Sequence, residues 1–162
     1  MERRLVVMRH AKSSWNSRAA NDHDRPLNDR GRRDTPRVAR RISEVGWQPQ
    51  HILSSDAQRT RETAFLLLSQ WEDGIGVDYT PNLYLAGPQD LQGELAGISE
   101  EVEVLLVLGH NPGWEGVVQR LSEQTIPMKT ATAVLLKGSV DSWDMIFTTS
   151  WEVEEVIYAR EL

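Results

Sequence analysis

The chain has 162 residues, of which 40% are apolar and 26% charged, and its formal net charge is −6. A chain of that length and apolar content has enough material for the core of one domain, which excludes a disordered polymer, and the acidic balance argues against a nucleic-acid partner. With no cysteine, disulfide frameworks, thiolate nucleophiles and Cys-ligated zinc are excluded as well.

The charge is unevenly placed: residues 1–61 carry 14 Lys and Arg against 7 Asp and Glu, whereas residues 62–162 carry 4 against 17. Met1-Glu2-Arg3-Arg4 leads into an apolar stretch too short for a signal peptide. No run reaches the length of a membrane span, so a soluble, cytoplasmic protein with no membrane partner is expected. Leu5-Val6-Val7-Met8 is a continuous apolar run ended by charge, the pattern of a strand buried on both faces. Val38, Ile42 and Val45 then recur at helical spacing before Gly46. The turn signal Gly46-Trp47-Gln48-Pro49 precedes a short strand at His51-Ile52-Leu53, and Ser54-Ser55-Asp56 offers N-cap chemistry after it. Ala57 to Trp71 runs without Gly or Pro as a second helix, and Pro88 to Ile98 reads as a third. Val104 to Leu108, closed by Gly109, is a further buried strand. Asn111 as N-cap and Pro112 at the first helical position begin a helix carrying Val117, Val118 and Leu121. The β-rich runs Ala131 to Leu136, Trp143 to Thr149 and Val153 to Ala159 read as antiparallel edge strands. The sum is a single α/β domain spanning 1–162, a three-layer sandwich whose mostly parallel sheet has helices on both faces and antiparallel edge strands near the C-terminus.

In such sheets ligands bind beyond the carboxyl ends of the strands. Arg9 and His10 follow the first run, Arg59 and Arg61 stand near the helix start after the second, and His110 follows the third. Two histidines, arginines and two helix amino termini on one rim suit a phosphoryl group. An arginine fork binds two phosphate oxygens, a neutral imidazole attacks phosphorus, and a second histidine bonds the equatorial oxygens. The pattern points to covalent phosphohistidine catalysis that needs no metal or organic cofactor.

At these residues the chain resembles the histidine phosphatase superfamily, which includes the phosphoglycerate mutases. Met8-Arg9-His10-Ala11 matches its Arg-His signature, Ser55-Asp56-Ala57-Gln58-Arg59-Thr60-Arg61-Glu62-Thr63-Ala64 its second-arginine segment, and Gly109-His110-Asn111-Pro112-Gly113 its second-histidine segment. Arg9-His10-Ala11-Lys12-Ser13, Asp24-Arg25-Pro26-Leu27 followed by Gly31, and Met128-Lys129-Thr130-Ala131 look most like the small bacterial phosphohistidine phosphatases that act on histidine-containing phosphotransfer domains. The resemblance implies that His10 is the nucleophile, that Arg9, Arg59 and His110 form the phosphate pocket, and that Arg25 approaches it. Larger relatives carry a Leu-Glu acid that protonates the leaving oxygen. Here the comparable stretch is Asn82-Leu83-Tyr84-Leu85, with Asp24 or Asp90 as alternative proton donors. An imidazole leaving group, with a pKa near ~6.5, has little need of that proton, so the partner favoured is a phosphorylated protein such as a histidine phosphotransfer domain. A small phosphorylated metabolite as substrate and a non-catalytic phosphate-binding module are the alternatives.

Lys12, Ser13, Trp15 and Asn16 follow the nucleophile and are placed at the pocket mouth, Asn16 as a substrate contact and Trp15 as either packing or contact. Arg30, Arg32, Arg33, Arg37, Arg40 and Arg41 form the largest basic cluster, read as a solvated helix face ahead of a docking surface. His23 and His51 are read as residues without function. Trp47, Trp71, Trp114, Trp143 and Trp151 are read as packing.

Overall fold

The computed structural model describes residues 1–16, 18, 19 and 21–162. Strands β1 (Glu2–Arg9), β2 (His51–Ser55), β3 (Gly76–Thr80), β4 (Val104–Gly109), β5 (Ala133–Ser139) and β6 (Glu152–Ile157) form one sheet in the order β3-β2-β4-β1-β5-β6. The first four strands in that order pair in parallel, whereas β5 is antiparallel to both β1 and β6.

The central strands are apolar throughout because alternate residues feed two separate cores. Leu5 and Val7 of β1, with Leu105 and Val107 of β4, face one layer, while Val6, Met8, Leu106 and Leu108 face the other. The first layer is completed by helices α3 (Pro88–Leu95) and α4 (Gly113–Ser122), through Leu91, Leu95, Trp114, Val117, Val118 and Leu121. The second is completed by α1 (Asp29–Glu44) and α2 (Gln58–Leu68), through Val38, Ala39, Ile42, Ala64 and Leu67. All five tryptophans read as packing are buried.

Three elements depart from the sequence reading. Trp143–Thr148 is a 3-10 helix rather than a strand. Trp143 and Ile146 stand three residues apart, so in that helix they bury on one face, whereas in a strand they would point to opposite faces. The edge strand β3 carries a glycine and an aspartate in five residues, too little apolar content to signal itself. Helix α4 begins at Gly113, one residue later than expected. Pro112 occupies the N-cap position after a cis Asn111–Pro112 bond, and the Asn111 amide donates instead to Glu115 Oε2 and Met128 O, each at 2.8 Å.

Most of the basic cluster on α1 is internally committed. Arg30 and Arg37 pair with Asp34, Arg32 with Asp29, and Arg41 holds both oxygens of Glu155 at 2.9 Å, which fastens α1 to β6. Arg40 donates to Gln70, and Arg33 makes no ion pair among the described residues. A groove of about 540 Å³ beside Arg37 and Arg41 is lined by Glu44, Glu155 and Glu161 as well.

Candidate active site

The parallel register of β1 and β4 sets Arg9 opposite Gly109, so the residues that leave the sheet next, His10 and His110, emerge side by side. Their ring centroids are 5.2 Å apart. The chain turns from β1 toward the α1 layer and from β4 toward the α4 layer, which opens a crevice between the two strand ends. Arg59 enters from the first turn of α2. Together Arg9, His10, Arg59 and His110 line a cleft of about 170 Å³ with Lys12, Ser13, Trp15, Arg25, Leu85, Asn111 and Thr130.

His10 is 6% exposed, and its Nδ1 lies 2.7 Å from the Ala11 carbonyl. A carbonyl only accepts, so Nδ1 holds the hydrogen and Nε2 keeps its lone pair. Burial, reinforced by Arg59, Arg9 and Arg25 against the opposing Ala11 bond, lowers the pKa of His10 to about 3. The imidazole is therefore neutral at physiological pH. The Ala11 N–H donates to Thr63 Oγ1, which in turn donates to the Arg59 carbonyl, tying the loop after His10 to α2.

His110 Nε2 is 2.8 Å from Ser55 Oγ, which also accepts the Ala57 N–H. With the serine proton given to Nε2, His110 Nδ1 carries a hydrogen. That atom is buried without a partner among the described residues, as are Arg9 Nε and Arg59 Nε. Burial, then His10 and Arg59, lower the pKa of His110 to about 3 as well. Three buried donors left unpaired in one cleft are costly unless an acceptor arrives, and a phosphoryl group brings three oxygens.

The arginines are held by their outer nitrogens. Arg9 donates to the Met128 carbonyl at 2.9 Å. Arg59, 3% exposed, donates to the Asp22 carbonyl at 2.8 Å and to Asp22 Oδ2 at 3.0 Å. Arg25 donates to Asp22 Oδ1 at 3.0 Å and to Ser13 Oγ at 2.9 Å, and its guanidinium lies 3.6 Å from the Trp15 ring centroid. Tyr84 adds a short hydrogen bond to Asp22 Oδ2 and meets the His110 ring edge-on. Burial alone would raise the Asp22 pKa, but these donors, Tyr84 first, bring it down to about 2.

Asp22 is the residue that sequence reasoning missed. Its one local signal is its place three residues before Arg25, and its other donors, Arg59 and Tyr84, come from two distant segments. The two acids considered as proton donors lie elsewhere: Asp24 is beside His23, and Asp90 accepts the Gly87 N–H at the start of α3. No carboxylate lines the cleft among the described residues. Asn16 is exposed and outside the lining, with its backbone N–H bonded to Ser14. His23 is bonded to Asp56 at 2.9 Å, and His51 pairs with Asp78. Among the described residues no group of His, Asp and Glu has a metal-binding arrangement, and no helix is long and apolar enough to cross a membrane.

A family model described as the histidine phosphatase superfamily (branch 1) matches residues 5–100. An uncharacterized chloroplastic protein of Arabidopsis thaliana is 38% identical over 97% of this chain and 78% of its own length. Among solved structures, a protein assigned as the phosphohistidine phosphatase SixA in Nakamurella multipartitia superposes with a TM-score of 0.86 at 23% identity. The match covers 98% of this chain and 96% of that one. A mycobacterial glucosyl-3-phosphoglycerate phosphatase superposes with a TM-score of 0.67 at 19% identity, covering 95% of this chain and 98% of its own.

Proposed function

The chain belongs to the histidine phosphatase superfamily, branch 1, and is an enzyme of the phosphatase or mutase type; on that premise we propose that it is a phosphatase that removes phosphoryl groups from phosphohistidine on a protein. The observation that carries this is the convergence of a neutral His10 with three buried, unpaired donors, Arg9 Nε, Arg59 Nε and His110 Nδ1, on a cleft without a carboxylate. The His10 Nε2 lone pair forms a bond to phosphorus as the bond to the leaving nitrogen breaks; the substrate ring, protonated on its other nitrogen, takes that electron pair and leaves as neutral imidazole. Arg9, Arg59 and His110 bond the equatorial oxygens as charge moves onto them. Water then attacks phosphorus, His10 leaves with its electron pair restored, and inorganic phosphate departs.

The leaving group supports an N–P substrate. An alkoxide leaves only if protonated, and Asp22, the carboxylate bonded to Arg59 and Arg25 of the cleft, is held ionised by Tyr84 and those two arginines. An imidazole that carries a proton on its other ring nitrogen, a site with a pKa near ~6.5, leaves as the neutral base without such help. The second reading, a phosphatase for a small metabolite, is favoured by the likeness to the glucosyl-3-phosphoglycerate phosphatase. Turnover of phosphohistidine peptides set against sugar phosphates separates the two: a higher kcat/KM on the sugar phosphates refutes the phosphohistidine reading. We place the activity in the cytoplasm as part of the same proposal.

A further inference from the structure

One part of the surface beside the cleft is basic although the chain as a whole is acidic. Thr130 lines both the cleft and a neighbouring hollow whose walls include Arg30, Lys129 and Arg160, and Lys12 lines the cleft itself. Among the described residues Lys12, Lys129 and Arg160 make no ion pair, and Arg30 has one, to Asp34 at 3.4 Å. Of the acidic groups on the same elements, Asp29 pairs with Arg32, Asp34 is shared between Arg30 and Arg37, and Glu44 and Glu161 line the separate groove beside Arg41. On the rim of the same cleft stand two exposed apolar side chains, Trp15 at 74% and Leu85 at 59%. Leu85 holds a left-handed backbone, φ 51°, which is unfavourable for a γ-branched residue and keeps its side chain at the mouth. Trp15 is pinned by its stack on Arg25.

A polar metabolite would draw little from an apolar rim, and four cations on a chain of net charge −6 are too few for a nucleic-acid footprint. Cations of which three make no ion pair among the described residues, in and beside a cleft rimmed by Trp15 and Leu85, instead match a protein face, with acidic residues flanking the phosphorylated side chain and apolar residues between them. We propose that Lys12, Arg30, Lys129 and Arg160 form a docking shelf that selects phosphorylated protein segments rich in Asp and Glu, with Trp15 and Leu85 gripping the apolar part. This rests on the phosphohistidine-protein reading and adds to it which proteins are preferred.

The test uses two phosphohistidine peptides of equal length, one flanked by Glu and one by Lys, with phosphoramidate as the small N–P probe. At low ionic strength the wild-type protein prefers the Glu-flanked peptide by about tenfold in kcat/KM, and high salt erases the preference. Lys129→Glu/Arg160→Glu loses the preference while its turnover of phosphoramidate is unchanged. Equal turnover of both peptides by the wild type, or a preference that survives charge reversal, overturns the shelf. So does an equal fall on phosphoramidate, which would put these cations on the phosphoryl group itself. Should the wild type cleave none of the three N–P probes, the catalytic reading fails on its own, and the shelf is still judged by the Kd of the two peptides on His10→Ala.

Discussion

His10 and His110 make the fold sensitive to acid in a way that can be calculated. Both are buried, 6% and 2% exposed, and both have pKa values lowered from 6.5 to about 3. A histidine with a depressed folded pKa is bound by more protons when unfolded. Its burial therefore costs nothing well above pH 6.5, and stability falls as pH drops from 6.5 toward 3. At pH 5 an unfolded histidine is almost fully protonated and a folded one almost fully neutral. The loss relative to pH 8 is then about 2 kcal/mol for each residue, or about 4 kcal/mol for the pair. That is a large share of a typical domain stability of roughly 5–15 kcal/mol. His23, whose pKa is raised by Asp56, opposes the trend in the same interval. Replacing both buried histidines by glutamine cancels that contribution from the comparison. Denaturant unfolding at the two pH values should show the wild type losing about 4 kcal/mol more than His10→Gln/His110→Gln. Calorimetry of the wild type in buffers of different ionisation heat should show about two protons taken up by these residues on unfolding at pH 5. Equal losses in the two proteins, with no proton uptake, would mean that the histidines are charged in the native state, and the neutral nucleophile would go with them.

Other substitutions probe the remaining parts of the site. Arg59→Met removes the Nε donor and both bonds to Asp22, and kcat/KM should fall by about 10²–10³. Arg59→Lys should not restore it, since one ammonium cannot face Asp22 and the phosphoryl group together. Asp22→Ala frees Arg59, Arg25 and Tyr84 at once, and steady-state kinetics should show about a tenfold loss, with Asp22→Asn recovering part of it through its remaining oxygen. A Cβ on Gly31 would collide with the Lys12 carbonyl, in the backbone that follows His10. Gly31→Ala should therefore cost about 1–3 kcal/mol by denaturant unfolding and lower kcat as the loop shifts.

The parts of this molecule legible in the sequence are those that local chemistry dictates. Leu5-Val6-Val7-Met8 and Val104 to Leu108 read as buried strands because both faces of each are covered, and a residue directly after such a strand lies on the sheet's rim whatever the loops do. That is why the sequence alone predicts Arg9, His10 and His110 on one rim. Trp143–Thr148 was misleading because aromatic and β-branched composition suits a strand as well as a one-sided 3-10 turn, and only the core beneath Trp143 and Ile146 decides. Asp22 was illegible for a different reason: an acidic residue in a polar loop acquires its role only when Arg59, Arg25 and Tyr84 are folded onto it. The contrast between basic and acidic portions of the chain was visible, but its meaning was not. Arg32, Arg37 and Arg41 serve the fold, whereas Arg9, Arg25 and Arg59 converge on the cleft.

Covalent catalysis through His10 is tested most directly by trapping the intermediate. The protein is mixed with labelled phosphoramidate, quenched in alkali and digested, and the labelled peptide is sequenced. The predicted result is label on His10 that survives base and is lost in acid, with none on His10→Ala. Turnover by the wild type without label on His10, or equal label on His10→Ala, would contradict it.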